Sequence, residues 1–434
     1  MEVLFGGLAI ILSVVVGLII FARLFDVRVP GLSFITAGSS DYAGYVPDRN
    51  DIYDVAWQAL FFRIVMHFVS YLMLRLVYMD GGQTYLQWWT KWDATNYIGI
   101  ATGGYNEITV NDVYVLGNDV PQTLVFFPLY PFLIYLLTFV LRNVYLSALV
   151  VSTVCFVIGC VFLYMAVAEK YGDSIAGKTV ILISVFPFSF FFGGMLPEST
   201  FLLFTAMCMY FSIKRKWLPA GLAGMLCGLT RLQGIIIMGF IGLEWMEAED
   251  IVAKIKHKEW KNMLSSFKPL PLILLPVFGP IIYMVINYVY TGDCLYFMKL
   301  QQYVWGHSFA DVFHSVHNIT ASLIADYSDD RRLILSVWFP QLFLFFATLL
   351  VILFTFKRHS NSMNIYLFVY LVISYGADHM VSGGRYMSTA VPLFIMLAEI
   401  CERRKNVFKW LVVIGLGLFI IFMGCHTHGF NMVT

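Results

Sequence analysis

Apolar stretches of about 20 residues, the length of helix that crosses a bilayer's hydrocarbon core, recur from one end of this chain to the other. A backbone in lipid has no water to bond, so it must satisfy its own polar groups as helix or as a closed barrel. A transmembrane barrel would show ten-residue alternating segments instead. Only 13% of the 434 residues are charged, 59% are hydrophobic, and mean hydropathy is +0.76. Soluble domains carry roughly 25% charged residues. The sequence therefore predicts an all-α polytopic membrane protein.

Spans are expected near 3–21, 55–78, 125–141, 145–168, 176–194, 199–213, 270–290, 333–356, 364–381, 387–400 and 407–425, giving a bundle of roughly 10–12 membrane segments. No repeat of fixed period and no extended linker interrupts them, so residues 1–434 read as one membrane domain. Glu2 is the sole charged side chain in the first 21 residues, which favours a retained helix over a cleaved signal. Lys214-Arg215-Lys216, Lys357-Arg358 and Arg403-Arg404-Lys405 form compact basic turns, and the lysines of 247–268 match them; these are expected on the cytoplasmic side. The 79–123 loop holds Asp80, Asp93, Glu107, Asp112 and Asp119 against Lys91 alone, and 291–332 is also acidic on balance. Both belong on the opposite face. Residues 217–246 are too short for two crossings and read as two half-helices with Thr230-Arg231-Leu232-Gln233-Gly234 at a deep bend. Three apolar segments separate Asp93 from Glu198, which places these acids on opposite faces unless one segment fails to cross. Net charge is +1, which offers no basic face for nucleic acid. The seven cysteines fall mostly in apolar runs and lack metal-site spacing.

Dense polar chemistry in such a chain is confined to a few places. Asp93 follows Trp88, Trp89 and Trp92 on what reads as an aromatic, water-facing ledge. A single carboxylate there suits a general base; the alternative is a helix cap within an aromatic belt. Glu198, in Pro197-Glu198-Ser199, suits a residue that orients a sugar hydroxyl or supports Asp93, or else an acid in a first helical turn. Arg231 in an apolar stretch is expensive, and its planar fork suits phosphate or carboxylate. Gln302 and Trp305, in Gln301-Gln302-Tyr303-Val304-Trp305-Gly306-His307, suit a sugar face and its hydroxyls, or a helix packing the loop. Ser382-Gly383-Gly384-Arg385-Tyr386 combines exposed amides, a helix start and an arginine, a pattern suited to phosphate. Arg63 lies within a span, His426 and His428 are too few for a metal, and Asn318-Ile319-Thr320 is an acceptor sequon.

The order of these clusters resembles the PIG-V family, which comprises GPI mannosyltransferase 2 and its prokaryotic relatives among the GT-C glycosyltransferases. The matching motifs are Trp92-Asp93-Ala94 with Gly104-Tyr105, Phe126-Phe127-Pro128-Leu129-Tyr130-Pro131, Phe186 to Phe191 through Pro197-Glu198-Ser199, Thr230-Arg231 with Gly234, Gln302 with Trp305-Gly306, and Arg385-Tyr386 with Pro392-Leu393-Phe394. The resemblance covers about 63–394 and leaves 1–22 as an additional N-terminal membrane helix. Leu232-Gln233 departs from the family's small residue and Asn or Pro, which bears on the acceptor.

The resemblance implies a GT-C-type bundle whose extracytoplasmic loops carry the active site. It further implies an inverting α-mannosyltransferase that takes mannose from a polyprenyl-phosphate-linked donor and passes it to a glycan or glycolipid acceptor. Asp93 matches the catalytic acid, and Arg385 with Arg231 matches the donor-phosphate contacts; in the leading reading Glu198 positions sugar or acceptor, and Tyr386, Gln302, Trp305 and Trp92 complete the expected site. No cofactor and no metal cage is indicated, and a divalent cation at Asp93 is left open. The expected location is a bacterial plasma membrane, or the endoplasmic reticulum membrane in a eukaryote. Two rival readings remain, a transporter or flippase of lipid-linked glycans and a non-catalytic subunit of a glycosylation complex.

Overall fold

The computed structural model describes residues 1–25, 44–77, 84–106, 122–306, 308–329, 331–378 and 380–428. Of the acidic 79–123 loop, Asp80, Glu107, Asp112 and Asp119 lie outside the described residues, as does His307. Among the described residues the chain is helical, with one isolated antiparallel bridge between Phe309 and Ala377. Among the described residues six helices are long and apolar enough to cross a membrane: Glu2–Leu24, Arg49–Leu76, Val144–Tyr171, Leu270–Thr291, Arg331–Thr355 and Lys405–His428. Shorter apolar helices, Leu129–Leu141, Glu198–Ile213, Trp217–Gly228 and Asn361–Ser374, fill the space between them. The protein is an all-α, multi-pass membrane protein. Leu4, Leu18, Phe61, Val140, Val289, Phe354 and Ile421 are exposed, as expected of helices whose outer faces meet lipid rather than water.

Ion pairs gather the basic turns at one end of the bundle. Lys214 meets Glu169 at 2.7 Å, Lys170 meets Glu244 at 2.7 Å, and Arg358 and Arg403 reach Glu399 at 3.2 and 3.4 Å. The Glu198–Ile213 helix runs from this end, at Lys214, to Glu198 at the other.

The bundle corrects several expected boundaries. The 176–194 span stops at Val185, because Pro187 has no N–H to donate and forces Phe186 into extended backbone (ψ 139°). Residues 186–197 continue as turns and one short 3-10 helix, Ser189–Phe192. Carbonyls on both sides of the break find a partner in Arg63, which is 1% exposed. Its guanidinium donates to Ser189 O at 2.9 Å and Ser184 O at 3.3 Å and lies 4.2 Å from the Phe156 ring centroid. A buried arginine inside a membrane-length helix thus acts here as a backbone clamp.

The parity problem is resolved by the Leu129–Leu141 helix. At 13 residues it is about 20 Å long, against about 30 Å of hydrocarbon. Tyr130 at its start bonds Ser152 Oγ (2.9 Å) and Ala148 O (3.3 Å), about two turns and one turn inside the Val144–Tyr171 helix. It therefore doubles back along that helix without reaching the basic end. Two traverses remain between Asp93 and Glu198, so both acids lie at the same end. The half-helix expectation for 217–246 holds: Trp217–Gly228 and Ile237–Ala248 flank a bend at 229–236. A Cβ on Gly234 would sit 2.3 Å from Cys227 O, so this close approach of backbone to backbone requires glycine.

The N-terminal helix packs against Val312–Asp329, with Gly6 pressed on Phe313 and Glu2 3.8 Å from His317. In that second helix the Asn318 side chain donates to Asp378 O at 3.1 Å, and Ile319 and Thr320 are buried. The sequon is thus built into packing rather than presented at a surface. All seven cysteines are free, and five are buried.

Replacing Arg63 with Leu removes both charge-assisted clamp bonds, each contributing about 1.5–3 kcal/mol, and leaves Ser184 O only its bond from Ser189 Oγ at 2.6 Å. Thermal unfolding in detergent is expected to show a lower midpoint for Arg63→Leu, with partial recovery in Arg63→Lys.

Candidate active site

Asp93 is the first residue of the Asp93–Gly103 helix, and its neighbour Trp92 has φ +53°. Such a conformation costs a non-glycine residue roughly 1–3 kcal/mol and survives only where surroundings enforce it. The helix has no side-chain cap, so the capping alternative for Asp93 fails. Its Oδ2 instead accepts a hydrogen bond from Arg385 Nη1 at 2.5 Å. Glu198 opens its own helix, again without capping it. Its Oε1 accepts from both Arg385 Nε (2.5 Å) and Arg231 Nη1 (2.8 Å), and its Oε2 is buried without a hydrogen-bond partner.

Two carboxylates and two guanidiniums thus form one neutral chain, Asp93–Arg385–Glu198–Arg231. Glu198 is 0% exposed, Arg231 7% and Arg385 8%, whereas the Asp93 side chain is 30% exposed. Burial pulls the Arg385 pKa down, but the Glu198 and Asp93 carboxylates outweigh it and hold the guanidinium well above the usual arginine range. Aromatic faces complete the enclosure, with Arg231 4.9 Å from the Tyr386 ring centroid and Arg385 5.4 Å from that of Phe191.

The Gly383-Gly384 pair works differently from the expected anion cradle. The Gly383 amide donates to Gln341 Oε1 at 3.2 Å. A Cβ on Gly384 would lie 2.4 Å from the Phe188 ring. The glycine lets the Gly383–Ser388 helix press onto the irregular 186–197 segment, and that contact brings Arg385 to Glu198.

A cavity of about 370 Å³ opens beside the charges, within the usual range for small-molecule sites. Of the residues singled out in the sequence, Asp93, Arg231, Gln302, Arg385 and Tyr386 line it. Glu198 lies behind them, and Trp92 stands exposed outside the lining. The Trp305 side chain lies outside the described residues. Trp88 and Trp89 are not part of a ledge: both are buried, with Trp88 donating to Ser70 Oγ at 3.2 Å and Trp89 edge-on to His67.

Three further lining residues, Tyr97, Gln301 and Lys299, were not singled out individually from the sequence. Tyr97 lies four residues after Asp93, the spacing of neighbours on one helix face, and that signal was available. Burial first and the Asp93 charge second raise its phenol pKa, so Tyr97 can donate a proton in a hydrogen bond but cannot rival Asp93 as a base. Lys299 is exposed and paired with Asp293 at 2.7 Å; an isolated lysine in an acidic loop gives no local signal. Among the described residues no group of three or more His, Cys, Asp or Glu could hold a metal ion. A second cleft, about 620 Å³, opens at the basic end near Leu24, Glu247 and Asn361 and contains none of these residues.

No protein-family model matches the sequence, and no curated protein matches it. The resemblance to the PIG-V family therefore rests on its motifs. Among solved structures the chain is similar to ArnT from Cupriavidus metallidurans in the apo state, with a TM-score of 0.48 and 11% identity over 78% of this chain and 73% of that one. ArnT bound to undecaprenyl phosphate gives a TM-score of 0.46 at 12% identity, over the same shares of the two chains. The archaeal oligosaccharyltransferase AglB from Archaeoglobus fulgidus, in complex with an inhibitory peptide and a dolichol-phosphate, gives 0.43 at 12% identity, over 86% of this chain and 56% of that one.

If Gly384 is what seats Arg385, Gly384→Ala should lower the thermal midpoint by displacing the Phe188 ring. Adding Phe188→Leu should restore much of the loss, whereas Phe188→Leu alone should not stabilise the protein; melting curves of the three variants check this.

Proposed function

We propose that the chain is a GT-C-type glycosyltransferase that moves a sugar, mannose, from a polyprenyl-phosphate carrier to a glycan or glycolipid acceptor. The observation that carries this reading is a partly exposed carboxylate, Asp93, held 2.5 Å from a buried guanidinium, Arg385, on the wall of one cavity. That juxtaposition supplies a base and an anion partner within one small site. The ordered PIG-V-like motifs support mannose as the sugar. The basic turns at the far end of the bundle support an extracytoplasmic active site.

In the reaction the acceptor hydroxyl oxygen attacks C1 of the donor sugar from the face opposite the phosphate, and its proton passes to Asp93. The C1–O bond to phosphate breaks, its electron pair remains on the phosphate oxygen, and the configuration at C1 inverts. Negative charge grows on the departing phosphate, which is where preorganised cations lower the barrier most; Arg385 and Arg231 serve this role. Gln301 and Gln302 are placed to bond sugar hydroxyls. Glu198 has no exposed surface and does not line the cavity, so it acts as a positioning residue that fixes both guanidiniums.

The test uses purified protein in lipid with radiolabelled polyprenyl-phosphate-mannose and a membrane glycolipid extract. Wild type should transfer label, and folded Asp93→Asn should transfer about 10²–10⁴-fold more slowly, the usual contribution of a general base. Equal rates would remove Asp93 as the base. Transfer from another polyprenyl-phosphate sugar only would remove mannose, and none from any such donor would remove the enzyme class.

A further inference from the structure

Arg385 is shared unequally between its two acids. Its Nε edge faces Glu198, which is fully enclosed and also holds Arg231. Breaking that contact would leave Glu198, which has no access to water, with Arg231 as the one guanidinium on its Oε1, a costly loss for a buried charge. Its Nη1 edge faces Asp93, the one member of the chain with substantial access to solvent. Both Asp93 and Arg385 line the cavity. An anion arriving there can therefore replace the outer bond and leave the inner one intact.

We propose that the donor's phosphate and the Asp93 carboxylate compete for the Nη1 edge of Arg385, so that donor binding itself frees Asp93 to act as the base. This rests on the polyprenyl-phosphate reading above. A carboxylate whose oxygen is engaged by a guanidinium at 2.5 Å has its charge neutralised and a lone pair occupied, and is a poor proton acceptor. A phosphodiester presents two non-bridging oxygens, which suit the guanidinium fork better than one carboxylate oxygen. Once the phosphate holds Arg385, Asp93 remains on the cavity wall with its oxygen available to the acceptor hydroxyl. The empty site is self-paired, and the base comes into play only with a donor in place.

Linkage gives this exchange a signature. If phosphate weakens the Asp93–Arg385 pair, then removing the charge of Asp93 must strengthen phosphate binding by the same coupling free energy. A carboxylate that helped to hold the donor would give the opposite sign.

The experiment titrates undecaprenyl phosphate, with undecaprenol as the phosphate-free control, into wild type, Asp93→Asn and Asp93→Asn/Arg385→Gln in detergent, reading affinity by calorimetry. Asp93→Asn should bind undecaprenyl phosphate at least about fivefold more tightly than wild type, with undecaprenol unchanged and the gain absent from the double variant. Because a substitution here can impair folding, isotope-edited infrared spectra of wild type provide a second reading. Adding undecaprenyl phosphate should shift one aspartate carboxylate band from its arginine-paired frequency, and undecaprenol should not. Equal or weaker binding by folded Asp93→Asn, a gain that persists without Arg385, or an unmoved aspartate band would overturn the exchange while leaving the donor class standing. If no form of the protein binds undecaprenyl phosphate above undecaprenol, the donor reading falls and the exchange with it.

Discussion

Four linked charges, three of them almost shut off from water, set the terms for the rest of this bundle. Asp93, Arg385, Glu198 and Arg231 come from parts of the chain nearly 300 residues apart, and each is delivered by a discontinuity in a helix. Asp93 follows a left-handed Trp92, Glu198 follows the irregular 186–197 segment, Arg231 sits between two half-helices, and Arg385 lies on a six-residue helix begun by Gly383. A continuous membrane helix would carry such side chains past the meeting point or bury them singly. The breaks let four elements end at one place, where each charge finds a partner of opposite sign.

Breaking helices at this depth exposes backbone groups that lipid cannot satisfy. The structure meets that cost with side chains from neighbouring elements. Arg63 takes Ser184 O and Ser189 O, Tyr105 donates to Phe126 O at 2.6 Å, and Tyr283 donates to Leu124 O at 2.6 Å. The backbone held by the two tyrosines carries Val125 and Phe126 into the cavity wall. Gly234 and Gly384 complete the arrangement by allowing contacts that any Cβ would block.

Much of this was legible in the sequence because a mostly apolar chain makes polar residues conspicuous. Glu198, Arg231 and Arg385 stood out for their setting alone, and the bend at 230–234 followed from a length too short for two crossings. What escaped was direction and partnership. Hydropathy reads the apolarity of Leu129–Leu141 but not that Tyr130 ties its start to Ser152 and turns it back, so the side of Glu198 stayed undetermined. Trp88 and Trp89 resemble an interfacial belt by composition, yet their burial depends on Ser70 and His67 in a different helix. Gly383-Gly384 has the form of an anion cradle; only the position of Phe188 and Gln341 reveals a packing hinge.

The energetics of the four-charge chain bear on why it exists. A buried ion pair is weak evidence of stability, because desolvation of both partners offsets much of their attraction, and apolar replacements of similar volume are often neutral or stabilising. Glu198 illustrates the imbalance: one oxygen receives two guanidiniums while the other is buried without a hydrogen-bond partner. Apolar packing elsewhere is extensive, with one buried cluster reaching from Ala9 to Met423, so the bundle does not depend on this chain for cohesion. A site that stores an unmet acceptor and a strained Trp92 beside an accessible carboxylate bears a stability cost of the kind associated with function. The same imbalance makes the outer Asp93–Arg385 bond the exchangeable one, since Glu198 retains Arg385 whichever anion occupies its other edge.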